Sequence, residues 1–365
     1  MTPMNKPCRQ LHDLGQSLWL DHISRPLLQS GTLARYIAEL SITGLTSNPA
    51  IFEQALGSDA YDDSIRLLDA QGLADEEMFF ELALEDLRQA ADLFQPVFEA
   101  SEGADGWVSL EVSPLLADNT AHTIQAAARL HRLADRPNLF IKIPGTPEGI
   151  RAVEEVIVDG VSVNVTLLFS PQHYLAAANA YMRGLERRRQ EGLDLKVSSV
   201  ASLFVSRWDV AVQASTSPSF HNRLGIVMAM QAYQMHCQLL ASERWKRLAL
   251  AGARPQRLLW ASTGTKDAQV PDTLYVEALA AARTINTLPE KTLLAFADHG
   301  HMGTALPVDG GYADAVLQEF RREGVDDAKL AERLQRDGVE AFSVAWHASL
   351  TRLRQKCLAL RSTAK

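Results

Sequence analysis

A lysine interrupts an otherwise apolar strand at Leu139-Phe140-Ile141-Lys142-Ile143. The two-residue period of a strand places Leu139, Ile141 and Ile143 on one face and Lys142 on the other. Lysine is almost never fully buried unless it is paired, and burial disfavours its charged form. A lysine in such a strand is an amine available as a nucleophile. Other apolar runs carry polar residues at the same parity. Ser109, Glu111 and Ser113 alternate with Val108, Leu110 and Val112, and Asn164 and Thr166 alternate with Val163, Val165 and Leu167. Leu18 and Leu20 alternate with Trp19 and Asp21. Any one of these also reads as a polar residue at a strand-to-loop border. Their shared parity, with a lysine and two carboxylates among them, argues for a common site.

Such residues need a frame that gathers strand ends. Short apolar runs recur at Ser17–Asp21, Gly44–Ser47, Trp107–Val112, Leu139–Ile143, Val161–Leu168, Val197–Val205, Leu258–Ser262 and, more weakly, Thr284–Thr287. Helical spacing fills the intervals, as at Glu76–Phe94, Thr120–Ala134, Pro171–Arg189 and Arg223–Ala241. This alternation marks a parallel sheet with crossover helices. Eight strands point to the α/β class and a closed (β/α)₈ TIM-type barrel, whose usual ~250 residues can exceed ~400 with insertions. The polar residues then sit at the C-terminal strand ends, where barrel active sites are built. Thr46-Ser47-Asn48-Pro49 reads as a helix N-cap followed by proline at the first helical position. The cap alone accounts for Asn48, yet its place straight after a strand also lets its amide point into the barrel mouth.

After His301 the pattern is purely helical, at Ala313–Glu323, Asp326–Gln335 and Glu340–Leu360, the last with Phe342, Ala345, Leu350 and Leu353 on an approximate stripe. These read as additional C-terminal helices packed on the barrel. Residues 1–365 are thus expected to form a single domain, with the barrel at about 11–305 and the C-terminal helices at about 311–360.

Composition narrows the function. The chain has 36 Lys+Arg against 44 Asp+Glu, a net charge of −8, with a pI near 5.7, which argues against a duplex nucleic-acid binder. The run Glu186–Arg189 reads as a solvated helix end. Cys8, Cys237 and Cys357 are too few and scattered for a disulfide framework or a CxxC metal site. His299-Gly300-His301 could be a metal pair or a loop accident. No Gly-rich dinucleotide fingerprint follows the first strand, and Thr263-Gly264-Thr265-Lys266 lacks the glycine and residue order of a P-loop. The N-terminus has no apolar signal core, and no stretch approaches the ~18 apolar residues of a membrane helix. A cytoplasmic protein is expected.

The ordered segments Trp19-Leu20-Asp21, Thr46-Ser47-Asn48-Pro49, Val108-Ser109-Leu110-Glu111, Ile141-Lys142-Ile143-Pro144, Val163-Asn164-Val165-Thr166-Leu167-Leu168-Phe169-Ser170 and Trp260-Ala261-Ser262-Thr263 resemble the motifs of the transaldolase family, in its longer-chain bacterial-type branch. The resemblance runs from about Gly15 to the C-terminus. It implies a barrel enzyme without metal or organic cofactor. Such an enzyme moves a dihydroxyacetone unit between sugar phosphates through a lysine Schiff base, in the non-oxidative pentose phosphate pathway. By this likeness Lys142 would be the nucleophile and Asp21 the acid/base at the bond being cut. Glu111 with Thr166 would move protons through a water, and Asn48 and Asn164 would hold hydroxyls. Ser202, Phe204 and Arg207 match the family's Ser-x-Phe-x-x-Arg, with Arg207 on the phosphate and Ser202 on a hydroxyl. The arginine that many members carry two residues after Ser262 is here Gly264, which leaves Lys266 as the nearest cation for a second phosphate contact. Charge and the lack of an apolar span give no expectation of a nucleic-acid or membrane partner, and a monomer or homodimer is expected. A related lysine aldolase, or a phosphosugar sensor that has lost catalysis, are the alternative readings.

Overall fold

A computed structural model describes residues 5–363. Eight parallel strands close into a barrel in sequence order: β1 (Ser17–Leu20), β2 (Ile42–Leu45), β3 (Trp107–Glu111), β4 (Leu139–Pro144), β5 (Val163–Leu168), β6 (Ser199–Phe204), β7 (Arg257–Ala261) and β8 (Thr284–Leu288). β8 pairs with β1, Leu18 lying against Asn286. The weakest of the expected strands is therefore the one that closes the barrel. The expected (β/α)₈ architecture is the observed one, with strand ends differing by one to two residues.

The inward parity builds two layers. Trp19, Trp107 and Phe140 share the parity of Asp21, Glu111 and Lys142 and stack below them. The Trp107 and Phe140 rings lie 4.0 Å apart and those of Trp19 and Phe140 6.3 Å apart. A Cβ at Gly44 would meet the Trp19 indole at 2.5 Å, so only glycine lets that ring fill the barrel. This aromatic layer plugs the interior, and the polar layer above it faces the C-terminal mouth.

Helix starts fix the strand-to-helix turns at that mouth. Asn48-Pro49, Thr146-Pro147 and Ser170-Pro171 each place a side-chain oxygen on a backbone N–H of the first turn, with proline at the first helical position. Such caps contribute about 1 kcal/mol each. Among the described residues no helix is long and apolar enough to cross a membrane.

Two helices depart from expectation. The helix Asp75–Ala100 continues through Pro96 instead of ending at Phe94. Phe98 packs edge-on against Trp107 at 5.1 Å and holds the last turn. The second departure concerns the C-terminal helices, which number two rather than three, Ala313–Arg322 and a continuous Asp327–Thr363. Gly338 is no helix break. A Cβ there would lie 3.0 Å from the Leu167 side chain, so the glycine lets the helix press on the barrel mouth. Beyond it, Phe342, Trp346, Ser349, Leu353 and Cys357 form the buried stripe. Trp346 packs on Phe79 at 4.6 Å and Phe80 at 5.4 Å. Ala345 and Leu350 of the expected stripe are only half-buried.

Candidate active site

The strand register sets the central triplet. Glu111 lies beside Lys142 and Lys142 beside Asn164 across β3, β4 and β5. Lys142 is 4% exposed. Its Nζ donates to the Ser47 carbonyl at 3.0 Å and lies 3.3 Å from Glu111 Oε2. The Phe342 ring centroid stands 5.8 Å from the amine. Ser47 is itself held by its hydroxyl, which donates to the Ser109 carbonyl at 2.7 Å.

Glu111 is buried, and neither of its oxygens has an aligned hydrogen-bond partner among the described residues. Burial raises its carboxyl from the usual 4.5 to about 7, against the pull of Lys142 and with a smaller push from Asp21. The Thr166 hydroxyl is likewise buried without a partner. Buried polar atoms without partners are uncommon and call for an explanation. Here two residues one strand either side of Lys142 share the condition.

Asp21 follows β1 and faces the same mouth. Its Oδ1 accepts from the Thr46 hydroxyl at 2.7 Å, and Thr46 lies 2.6 Å from the Thr287 hydroxyl. Burial pushes the Asp21 carboxyl above its usual range, opposed chiefly by Lys142 and the Thr46 bond. Asn48 uses Oδ1 to cap its helix, accepting from the Ala50 and Ile51 amides at 3.0 and 3.1 Å, so only its NH₂ group remains for a ligand. Asn164 donates to the Ser109 hydroxyl at 3.2 Å and accepts from the Ser202 hydroxyl at 2.7 Å.

The cationic side lies across the mouth. Arg207 follows β6 with its guanidinium 5.3 Å over the Phe204 ring. Burial lowers its pKa, and Asp337 opposes the shift. Arg207 is half-buried and forms no ion pair among the described residues. Ser262 has a left-handed backbone, φ 56°, and its hydroxyl meets that of Ser206 at 2.9 Å. Lys266 and Gly264 complete this wall.

All the sequence-derived candidates except Glu111 and Asn164 line one pocket of about 190 Å³. Those two lie beneath it, in contact with Lys142 and Ser202. Two larger cavities, about 700 and 630 Å³, meet around Arg257 at the opposite end of the barrel. They contain none of the nucleophile, acid or phosphate-side residues, so chemistry and not volume locates the site. Sequence reasoning assigned no role to Thr46, Thr287 or Phe342, which also line it. Thr46 belongs to the segment Thr46-Ser47-Asn48-Pro49, and Phe342 reads from sequence only as an apolar position on a helix. His299 and His301 are each taken up by carboxylates, Asp272 at 2.9 Å and Glu277 at 3.1 Å.

The arrangement offers an amine nucleophile, a carboxyl that can exchange protons near neutral pH, a second carboxyl across the mouth and a free cationic wall. The chain matches the family described as transaldolase/fructose-6-phosphate aldolase over residues 18–353. It is 45% identical to a transaldolase of Thermobifida fusca over 98% of this chain and 100% of that protein. It is 47% identical to a transaldolase of Thiobacillus denitrificans over 93% of this chain and 97% of that protein.

Proposed function

The chain belongs to the transaldolase/fructose-6-phosphate aldolase family, and from that premise we infer that it is a transaldolase acting through Lys142. It transfers a dihydroxyacetone unit from sedoheptulose 7-phosphate or fructose 6-phosphate to glyceraldehyde 3-phosphate or erythrose 4-phosphate. The place of this reaction is the non-oxidative pentose phosphate pathway, in the cytoplasm.

The Lys142 Nζ, once it has given up its proton, adds to the ketone carbon of the donor. Loss of water from the carbinolamine gives an iminium ion. Asp21 takes the proton of the hydroxyl on the carbon beyond the bond to be cut; that bond breaks, the aldose phosphate leaves, and a three-carbon enamine stays on Lys142. The enamine attacks the aldehyde carbon of the acceptor, and Asp21 returns the proton to the new alkoxide. Water then releases the ketose and the amine. A carboxyl held at about 7 can both give and take protons at neutral pH. That supports Glu111, with the Thr166 hydroxyl and a water, as the proton carrier of the carbinolamine steps. Asn48 and Asn164 hold hydroxyls of the three-carbon unit and Ser202 another. Arg207 takes the phosphate, with Lys266 and Ser262 beside it, and Phe204 is the apolar wall under the guanidinium.

The observation that carries this reading is the buried Lys142 amine 3.3 Å from Glu111, in a pocket also lined by Arg207, which forms no ion pair among the described residues. A coupled assay with fructose 6-phosphate tests it. Turnover that requires erythrose 4-phosphate supports transfer. Turnover without acceptor makes the protein an aldolase, and no turnover removes the catalytic reading.

A further inference from the structure

The C-terminal helix reaches the reacting groups through one face. Gln335, Gly338 and Phe342 lie three and four residues apart and so point the same way. Gln335 is buried, and its Nε2 donates to two main-chain carbonyls, Gly145 at 3.0 Å and Leu167 at 2.9 Å. These carbonyls end the two neighbouring strands that carry Lys142 and Thr166. The strand ends are also joined directly, the Gly145 amide donating to the Thr166 carbonyl at 2.7 Å.

Leu167 is the unusual element. Its φ is 57°, in the left-handed region, and the pairing of β5 with β6 shifts register between Val165 and Leu168. Branched side chains rarely adopt this conformation, and it persists only where surroundings over-determine it. Two contacts from the helix do so. Gln335 takes the Leu167 carbonyl, and the bare Cα of Gly338 admits the Leu167 side chain. The same helix then places the Phe342 ring 5.8 Å from the Lys142 amine.

We propose that Gln335 is a positioning residue for the reaction: it ties the ends of β4 and β5 to the C-terminal helix, holds Leu167 in its left-handed turn so that the neighbouring Thr166 hydroxyl faces the site, and seats Phe342 over Lys142. The proposal rests on the Lys142 reading above. Gln335 touches neither substrate nor reacting atoms. A misplacement of about 1 Å at catalytic groups can cost about 100-fold in rate, and two unpaired strand-end carbonyls give room for that.

Two variants separate positioning from stability. Gln335→Leu removes both donors. Gly338→Ala removes no bond and improves helix propensity, but its new Cβ must displace the Leu167 side chain, 3.0 Å away. For each, active sites are titrated with fructose 6-phosphate and borohydride, turnover is expressed per titrated site, and the melting temperature is measured. The expected result is a per-site kcat lower by about 10- to 100-fold for Gln335→Leu and by a smaller factor for Gly338→Ala. The melting temperature of Gly338→Ala shows whether the Leu167 side chain gives way to the new methyl, and turnover is read well below it. Wild-type kcat per site in both variants would overturn the positioning role while leaving Lys142 as nucleophile. Absence of the label from Lys142 in the wild-type protein would overturn both readings together.

Discussion

Glu111→Gln should make the protein more stable and less active, with a defined pH dependence. In the unfolded chain this carboxyl ionises near its usual 4.5, and in the folded barrel at about 7. Below pH 4.5 both states hold the proton and the group is silent. As pH rises through the interval the unfolded state ionises first, so wild-type stability falls, and the full cost is reached above pH 7. The gap corresponds to about 1 kcal/mol at pH 5 and about 3 kcal/mol at pH 8. The attraction of Lys142 is already contained in the folded value, so it needs no separate correction. Glutamine cannot ionise and escapes this cost while keeping the size of the side chain. Urea unfolding of both proteins at pH 5 and pH 8 should show the variant's advantage growing by about 2 kcal/mol between them. Over the same range, borohydride trapping with fructose 6-phosphate should slow by about 10²- to 10⁴-fold, the usual worth of a general acid–base group. A stability difference that stays flat with pH, or a variant less stable at pH 8, would refute the argument that burial holds this carboxyl protonated.

Three further outcomes follow from the same geometry. Lys142→Arg should abolish turnover, because a permanently protonated guanidinium cannot attack a carbonyl; activity measured in a coupled assay would contradict this. Asp21→Ala should still form the Schiff base but fail to cut the carbon–carbon bond, so mass spectrometry of the trapped protein should find all six donor carbons; a three-carbon adduct would show that Asp21 is not the base at that bond. Arg207→Ala should raise KM for fructose 6-phosphate by about 10- to 150-fold, the equivalent of one charge-assisted hydrogen bond, and Lys266→Ala by a smaller factor. Both should spare the weak reaction of unphosphorylated fructose, and an unchanged KM in Lys266→Ala would make Lys266 a surface residue.

The barrel and the floor of its mouth were legible because both obey the strand period. Lys142, Glu111, Asn164 and Thr166 could be placed on one face from alternation alone, and Asn48-Pro49 announced its cap. Alternation within a strand carries no information about pairing between strands, so the placing of Glu111 beside Lys142 and of Lys142 beside Asn164 needed the register. Glycine reads locally as a helix breaker, yet Gly338 serves a close approach to Leu167, a residue over 170 positions away in sequence. The helix expected to end at Phe94 runs on to Ala100 because Phe98 is held by Trp107, a contact distant in sequence. Gln335 gave no signal at all: its partners are main-chain carbonyls, which every sequence supplies everywhere.

The central claim is that a single buried amine forms the covalent intermediate. Reduction of the protein with borohydride in the presence of fructose 6-phosphate, followed by peptide mass spectrometry, tests it most directly. A three-carbon adduct on Lys142, in the peptide containing Phe140–Pro144, is the expected result. An adduct on another lysine, or none, would contradict it.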